Sequence, residues 1–128
     1  MIVVDTNVLT YLWLPGPRTS AAEALLRKDP DWHAPLLWRS EFRNVVVGQV
    51  RRHRLGLGTA QRIVLEAESQ MNGREYGVPS SEVLRRAAES GCSAYDCEFV
   101  VLAESLTVPL YTCDEEVLTA FPSSTRRL

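Results

Sequence analysis

Four acidic residues, Asp5, Glu41, Asp96 and Asp114, stand where they could act together. Asp5 directly follows Ile2-Val3-Val4, a short β-branched run that reads as a buried strand. Asp114 follows a second apolar run, Val108 to Tyr111, by three residues. Asp96 falls in the first turn of a helix that Ser93 would begin. Glu41 falls in the first two turns of a helix expected after Pro35. In open α/β sheets, sites form beyond the carboxyl ends of the strands. Helix N-termini tend to share that edge, so all four carboxylates can face one crevice. Four such groups side by side repel one another and would take up protons near neutral pH unless a cation neutralised them. All-oxygen donors suit Mg²⁺ or Mn²⁺. Such an ion acidifies water and clamps the oxygens of an in-line phosphate displacement. The expected chemistry is metal-assisted phosphodiester hydrolysis. A glycosidase would need only two carboxylates in defined roles.

Each acid also has a purely structural role open to it. Asp5 could cap a helix. Ser93-x-x-Asp96 matches a capping box, and so does Thr112-x-x-Glu115, with Asp114 inside it. Acids at helix starts gain from the helix dipole as well. Glu41 lies too deep in its helix to cap, and its plain alternative is solvent exposure. The joint pattern outweighs any single member. Because Glu98, Glu115 and Glu116 crowd the same stretches, the fourth acid stays open between Asp114 and a neighbouring Glu115 or Glu116.

Other chemistries are missing their motifs. The sequence has no G-x-x-x-x-G-K-[ST] loop, no G-x-G-x-x-G turn and no G-x-S-x-G elbow. His33 and His53 have no partner at ligand spacing and read as surface or half-buried residues without a catalytic role. Trp13, Trp32 and Trp38 read as core. The cysteines, Cys92, Cys97 and Cys113, are odd in number and lack C-x-x-C spacing, which argues for buried thiols in a reducing cytoplasm. The start, Met1-Ile-Val-Val-Asp5, has no basic region before a long apolar stretch, so no secretory signal is expected. No run approaches the roughly 18 apolar residues of a membrane helix.

Net charge is −2, which does not advertise a nucleic-acid partner. Setting the four carboxylates against a metal, however, leaves the rest of the chain net basic. Lys28 is the one lysine among 14 basic residues, so the others are arginine, whose planar fork suits phosphate. Several cluster, at Arg51-Arg52-His53-Arg54, Arg85-Arg86 and Arg126-Arg127. They are candidates for a phosphate-binding face, or equally for salt-bridged surface.

The elements that must position these residues follow from periodicity and punctuation. A chain of 128 residues fits one domain, residues 1–128, and 45% hydrophobic content is enough for a packed core. Strands are expected at 2–4, 32–34, 75–78 and 108–111, with a final strand or none in 123–128. Helices are expected at 8–14, capped by Thr6-Asn7 and stopped by Pro15-Gly16-Pro17, and at 18–28 and 36–53. Another should run from a Thr59 cap to Met71. Further helices should run from Ser80 or Ser81 to Glu89, from Ser93 to about Leu106, and over 114–121. Short apolar strands alternating with helices make an α/β fold with a parallel sheet between helical layers.

The motifs around the acids resemble those of PIN-domain proteins, whose small bacterial members include the VapC-like toxins of type II toxin–antitoxin pairs. Val4-Asp5-Thr6-Asn7-Val8-Leu9 resembles the first motif. Ser40-Glu41-Phe42-x-Asn44-Val45 resembles the second. Asp96, followed by Phe99 and Leu102-Ala103, resembles the third, although Cys97 stands where a small alanine is common. Leu110-Tyr111-Thr112-Cys113-Asp114 resembles the strand and T-x-D that close the site. Order, spacing and length agree over nearly the whole chain. The resemblance implies a three-layer α/β/α sandwich with a short, mainly parallel sheet. It implies endoribonuclease activity dependent on Mg²⁺ or Mn²⁺. Asp5 and Asp96 would be the principal metal ligands, and Glu41 and Asp114 would complete the acidic pocket directly or through water. Asn7, Asn44 and Thr112 would orient the carboxylates. It further implies an RNA substrate, a homodimer, a cytoplasmic setting and a cognate antitoxin that blocks the site.

Other readings compete. A PIN-fold RNA-processing nuclease, or an RNA-binding module without a toxin role, would share these motifs, though a full acidic set argues against an inactive module. A receiver-like signalling domain also places acids at strand ends, but it needs a late lysine, and Lys28 is too early. A haloacid-type phosphatase wants D-x-D, which Asp5-Thr6-Asn7 breaks.

Overall fold

The computed structural model describes residues 1–128. Five strands, β1 (Ile2–Val4), β2 (Trp32–Pro35), β3 (Glu75–Tyr76), β4 (Leu110–Thr112) and β5 (Thr125–Arg127), form one sheet in the order β3-β2-β1-β4-β5. Every pairing is parallel, with Val3 opposite His33 on one side and Leu110 on the other. Parallel strands need crossovers, and seven helices supply them: α1 (Thr6–Trp13), α2 (Thr19–Lys28), α3 (Leu37–Arg51), α4 (Leu57–Met71), α5 (Ser80–Ser90), α6 (Ala94–Leu106) and α7 (Glu115–Ala120).

The order of the strands assigns the helices to faces. From β1 through β2 to β3 the chain walks outward in one direction, and then it jumps back to β4 on the far side of β1. Crossovers between parallel strands are right-handed, so reversing the walk moves the helices to the other face. The packing agrees. α1 packs with α2, α3 and α4, whereas α6 packs with α5 and lies against β1, β2 and β4. The result is the expected three-layer α/β/α sandwich. The walk reverses between β1 and β4, and the crevice at such a switch point is where open α/β sheets bind ligands.

The core explains why the short strands suffice. Ile2, Val3 and Val4 are all buried, as strands covered on both faces must be, and Trp32, Trp38, Phe42, Phe99 and Leu110 pack around them. In α6, Cys97 and the run Phe99 to Ala103 are buried, so this helix is apolar over most of its surface. That burial anchors it against the sheet and fixes the position of its first turn, which carries Asp96.

Several boundaries differ from expectation, each for a local reason. Thr6 and Asn7 lie inside α1, not in front of it; Asp5 occupies the cap position, and the two side chains bond across the fold instead. Thr59 lies inside α4, which begins at Leu57 after an extended Gly56. β3 ends at Tyr76, and β4 is shifted to Leu110–Thr112 because pairing with β1 and β5 sets its register. The tail does form a strand, β5, bonded to β4. His33 is buried, with Nε2 bonded to Asp31 at 2.8 Å and Nδ1 to the Tyr76 hydroxyl at 2.8 Å. Trp32 and Trp38 are core, while Trp13 is half-buried at the core's edge. Gly91 stops α5 in the left-handed region at φ 77°, where a side chain would be strained.

Candidate active site

Four elements deliver the four acids to one place. Asp5 lies between β1 and α1, Glu41 stands in the second turn of α3, Asp96 in the first turn of α6, and Asp114 between β4 and α7. Together with Thr6, Asn7, Thr10, Tyr11 and Val45 they line one pocket of about 300 Å³ at the carboxyl ends of β1 and β4. The larger apolar groove between α3 and α4, lined by Val46, Val50, Leu57 and Val64 among others, contains none of the four.

Hydroxyl groups hold two of the carboxylates in place. Thr112 Oγ1 donates to Asp5 Oδ2 at 2.7 Å. The same oxygen accepts the Asp114 backbone N–H at 3.0 Å and the Asn7 side-chain amide at 3.3 Å. With its acceptor capacity filled by two N–H donors, the hydroxyl proton is directed at Asp5. Thr6 Oγ1 donates to Glu41 Oε1 at 2.7 Å. Asp114 does two jobs: its Oδ1 accepts the backbone N–H groups of Glu116 and Val117 at 2.9 and 3.3 Å, capping α7, and Asp114 still lines the pocket. Of the alternative fourth acids, Glu115 is exposed and paired with Arg127, and Glu116 is exposed; neither lines the pocket.

Electrostatics record the crowding. Burial pushes the Asp5 carboxyl up to about 6; the Thr112 bond opposes this, and the Glu41 and Asp96 charges add to it. Burial also raises Glu41, with Asp96 and Glu98 adding repulsion against the Thr6 bond. Asp96 is raised by burial, partly offset by Ser93, and further by Asp114 and Glu116. Asp5, Glu41 and Asp96 therefore each feel another acid across the pocket, which is the condition a bound cation relieves. Two more polar atoms of pocket-lining residues, Asn7 Oδ1 and Thr10 Oγ1, are buried without a hydrogen-bond partner in the protein. The donor chemistry, all carboxylate, amide and hydroxyl oxygen, fits Mg²⁺ or Mn²⁺. As the side chains stand, no three acids are grouped closely enough to hold a metal ion between them.

The supporting residues divide. Thr112 bonds Asp5 directly; Asn7 bonds no carboxylate and reaches Asp5 only through the Thr112 hydroxyl; Asn44 is exposed and its side chain bonds to none of the carboxylates. Thr6, Thr10, Tyr11 and Val45 belong to the pocket but were not among the expected site residues. Thr6 and Thr10 are one helical turn apart, a spacing that could have flagged a shared face.

The family model described as PIN domain matches residues 2–121. Ribonuclease VapC3 of Pyrobaculum aerophilum is 25% identical over 125 residues, 95% of each chain. Among solved structures, PAE2754 from Pyrobaculum aerophilum superposes with a TM-score of 0.78 at 24% identity, covering 98% of this chain and 89% of that one. A toxin–antitoxin complex from Klebsiella pneumoniae contains a chain similar at a TM-score of 0.66 and 20% identity, with 98% and 96% coverage. At these identities the superpositions speak for the fold.

Proposed function

This chain belongs to the PIN-domain family, and from that premise we propose that it is a Mg²⁺- or Mn²⁺-dependent endoribonuclease acting as the toxin of a type II toxin–antitoxin pair. The observation that carries the reading is the convergence of Asp5, Glu41, Asp96 and Asp114, from four separate elements, on one pocket at the switch point of the sheet. The relative of similar length that is a ribonuclease supports the reaction, and the likeness to a chain of a toxin–antitoxin complex supports the role.

Asp5 and Asp96 would hold the ion, with Glu41 and Asp114 completing the shell directly or through water. Bound there, the ion would acidify a water and offset charge on the phosphodiester. The chain's own residues prepare the place. Thr112 fixes the orientation of Asp5, and Thr6 that of Glu41, before any ligand arrives. Asp114 is held by its capping bonds. Without a cation the pocket would repel RNA, so metal loading and substrate binding are coupled. A homodimer, a cognate antitoxin covering the pocket and a cytoplasmic setting complete the proposal. No helix is long and apolar enough to cross a membrane.

The test is direct. Asp5→Asn or Asp96→Asn should abolish both RNA cleavage and growth arrest while the far-UV spectrum stays native. EDTA should stop cleavage by the wild type, and Mg²⁺ or Mn²⁺ should restore it. Full activity of both variants, or undiminished cleavage in chelator after contamination controls, would overturn the proposal. Light scattering gives the oligomeric state, and co-expression with the neighbouring gene tests for rescue by an antitoxin.

A further inference from the structure

None of the residues lining the carboxylate pocket is basic. A polyanion approaching it must find positive charge at the rim. Arg18 stands there. Its guanidinium carbon lies 5.4 Å from the ring centroid of Tyr11, and Tyr11 lines the pocket. Arg18 is exposed and makes no ion pair.

Apart from the Tyr11 ring, the local structure gives no reason for an arginine here. Arg18 is the N-cap residue of α2, a position that favours Ser, Thr, Asp or Asn, and its side chain makes no capping bond. Its charge also meets the positive end of the helix dipole, which is unfavourable. Departures from local rules concentrate at functional sites. The surrounding turn is nevertheless well held. Thr19 Oγ1 donates to the Tyr11 carbonyl at 2.7 Å and accepts the Gly16 N–H at 3.0 Å, tying the Pro15-Gly16-Pro17 turn to the end of α1. The cation is thus propped on an aromatic ring beside the acids, with its outward face and its donors free.

We propose that Arg18, seated on Tyr11, is the substrate-strand subsite of this pocket, taking the backbone phosphate next to the scissile one through its guanidinium fork. The proposal rests on the ribonuclease reading above. Arginine suits the task because its planar fork binds phosphate bidentately and stacks on an aromatic face, whereas lysine offers only a point charge. Arg18 positions the strand and takes no part in the bond-breaking step.

The experiment measures cleavage of a fluorescein-labelled, mixed-sequence, single-stranded 20-mer RNA in Mg²⁺ by the wild type, Arg18→Ala, Arg18→Lys and Tyr11→Leu. It adds fluorescence anisotropy of the same RNA and a melting curve for each protein. Arg18→Ala should raise KM about tenfold with kcat within about twofold, as loss of one charge-assisted contact predicts. Arg18→Lys should recover only part of the loss. The dependence of log kcat/KM on log salt should flatten by about 0.7, the share of one phosphate on a single strand. Tyr11→Leu should weaken RNA binding in the same way, and the double variant should be no worse than the poorer single one, because the ring acts through the cation. If the wild type cleaves and Arg18→Ala keeps its KM and salt slope, the subsite is overturned while the ribonuclease reading stands. If the wild type does not cleave, the ribonuclease reading fails, and anisotropy indifferent to Arg18→Ala then removes the subsite as well.

Discussion

Thr112 holds three groups with one hydroxyl: it donates to Asp5 and accepts from the Asp114 backbone and the Asn7 amide. Thr112→Val keeps the shape and removes all three bonds. Loss of an orienting partner behind a metal ligand typically costs 10- to 100-fold in metal affinity or activity, so the Mg²⁺ concentration for half-maximal cleavage should rise by about that factor. An unchanged Mg²⁺ dependence would show that Asp5 needs no such support. Asp5 also makes a statement about stability. Its pKa moves from 3.8 to about 6 on folding, so the folded state binds more protons in that window. The stability contribution of the protonated form is full below the unfolded value and is lost as pH rises through the folded one. In chelator, the protein should therefore lose stability between about pH 4 and pH 6. Water reaching this half-buried group reduces the effect to on the order of 1–2 kcal/mol. Asp5→Asn removes the cost, and its Tm in EDTA at pH 7.5 should exceed that of the wild type by a few degrees. A lower Tm for the variant would contradict the assigned cause.

Helix α6 shows how an element places a reactive group. Its apolar body is buried against β1, β2 and β4, and its start is set by Gly91 and by Ser93, whose hydroxyl accepts the Asp96 N–H at 3.0 Å. The capping role and the proposed catalytic role of this turn share one arrangement, since the cap that begins the helix also sets the carboxylate at the pocket. Ser93→Ala should cost about 1 kcal/mol of stability and should lower activity more than that loss of folded protein explains, because Asp96 loses its orientation. A variant destabilised to this extent but fully active at low temperature would separate the two roles. The other acidic turns follow the same plan. Asp114 caps α7 while lining the pocket, and Asp5 occupies the cap position of α1 without making a cap bond. The Ser93 cap read from the sequence forms at Asp96, whereas the Thr112-x-x-Glu115 box does not: Asp114 itself caps α7, and Thr112 lies in β4 and bonds Asp5.

Across the whole molecule, charge is sorted into paired and unpaired regions. Arg85 pairs with Glu82, Arg86 with Glu104 and Arg127 with Glu115, so two of the three arginine clusters are largely spent on surface ion pairs. Such pairs add little stability. Arg51, Arg52 and Arg54, at the turn between α3 and α4, are exposed and make no ion pair. Arg52 folds back over Gly48, its guanidinium 3.4 Å from where a glycine side chain would begin. Salt dependence of RNA binding should therefore come from this turn and the pocket rim. Changing Arg51, Arg52 and Arg54 together to Ala should reduce the slope of log affinity against log salt by up to about 2, and Arg85→Ala should leave it unchanged. Equal effects from both would mean that ion pairing does not decide which arginines meet RNA.

The features legible in the sequence were local ones. Ile2-Val3-Val4 before Asp5, Ser93 before Asp96, the glycine stop at Gly91 and the T-x-D after β4 are set by neighbours a few residues away, where periodicity, capping and φ preference act. Those signals placed Asp5, Asp96 and Asp114 at element ends and Glu41 within the first two turns of its helix, and implied the α/β class. Other features needed the folded chain. That β1 lies between β2 and β4, making its end the switch point, depends on pairings between distant segments. So does the fate of side chains with more than one use. Thr6 looked like a cap and instead bonds Glu41, 35 residues away, and Thr112 reaches Asp5 across 107. Asn44 shares a motif with Glu41 but stays in solvent, and Arg18 meets Tyr11 only because the turn between α1 and α2 folds back. A hydroxyl, amide or guanidinium can satisfy itself locally or at a distance, and close packing selects the partner. The four carboxylates could be found from their sequence neighbours, but the pocket that makes them one site could not.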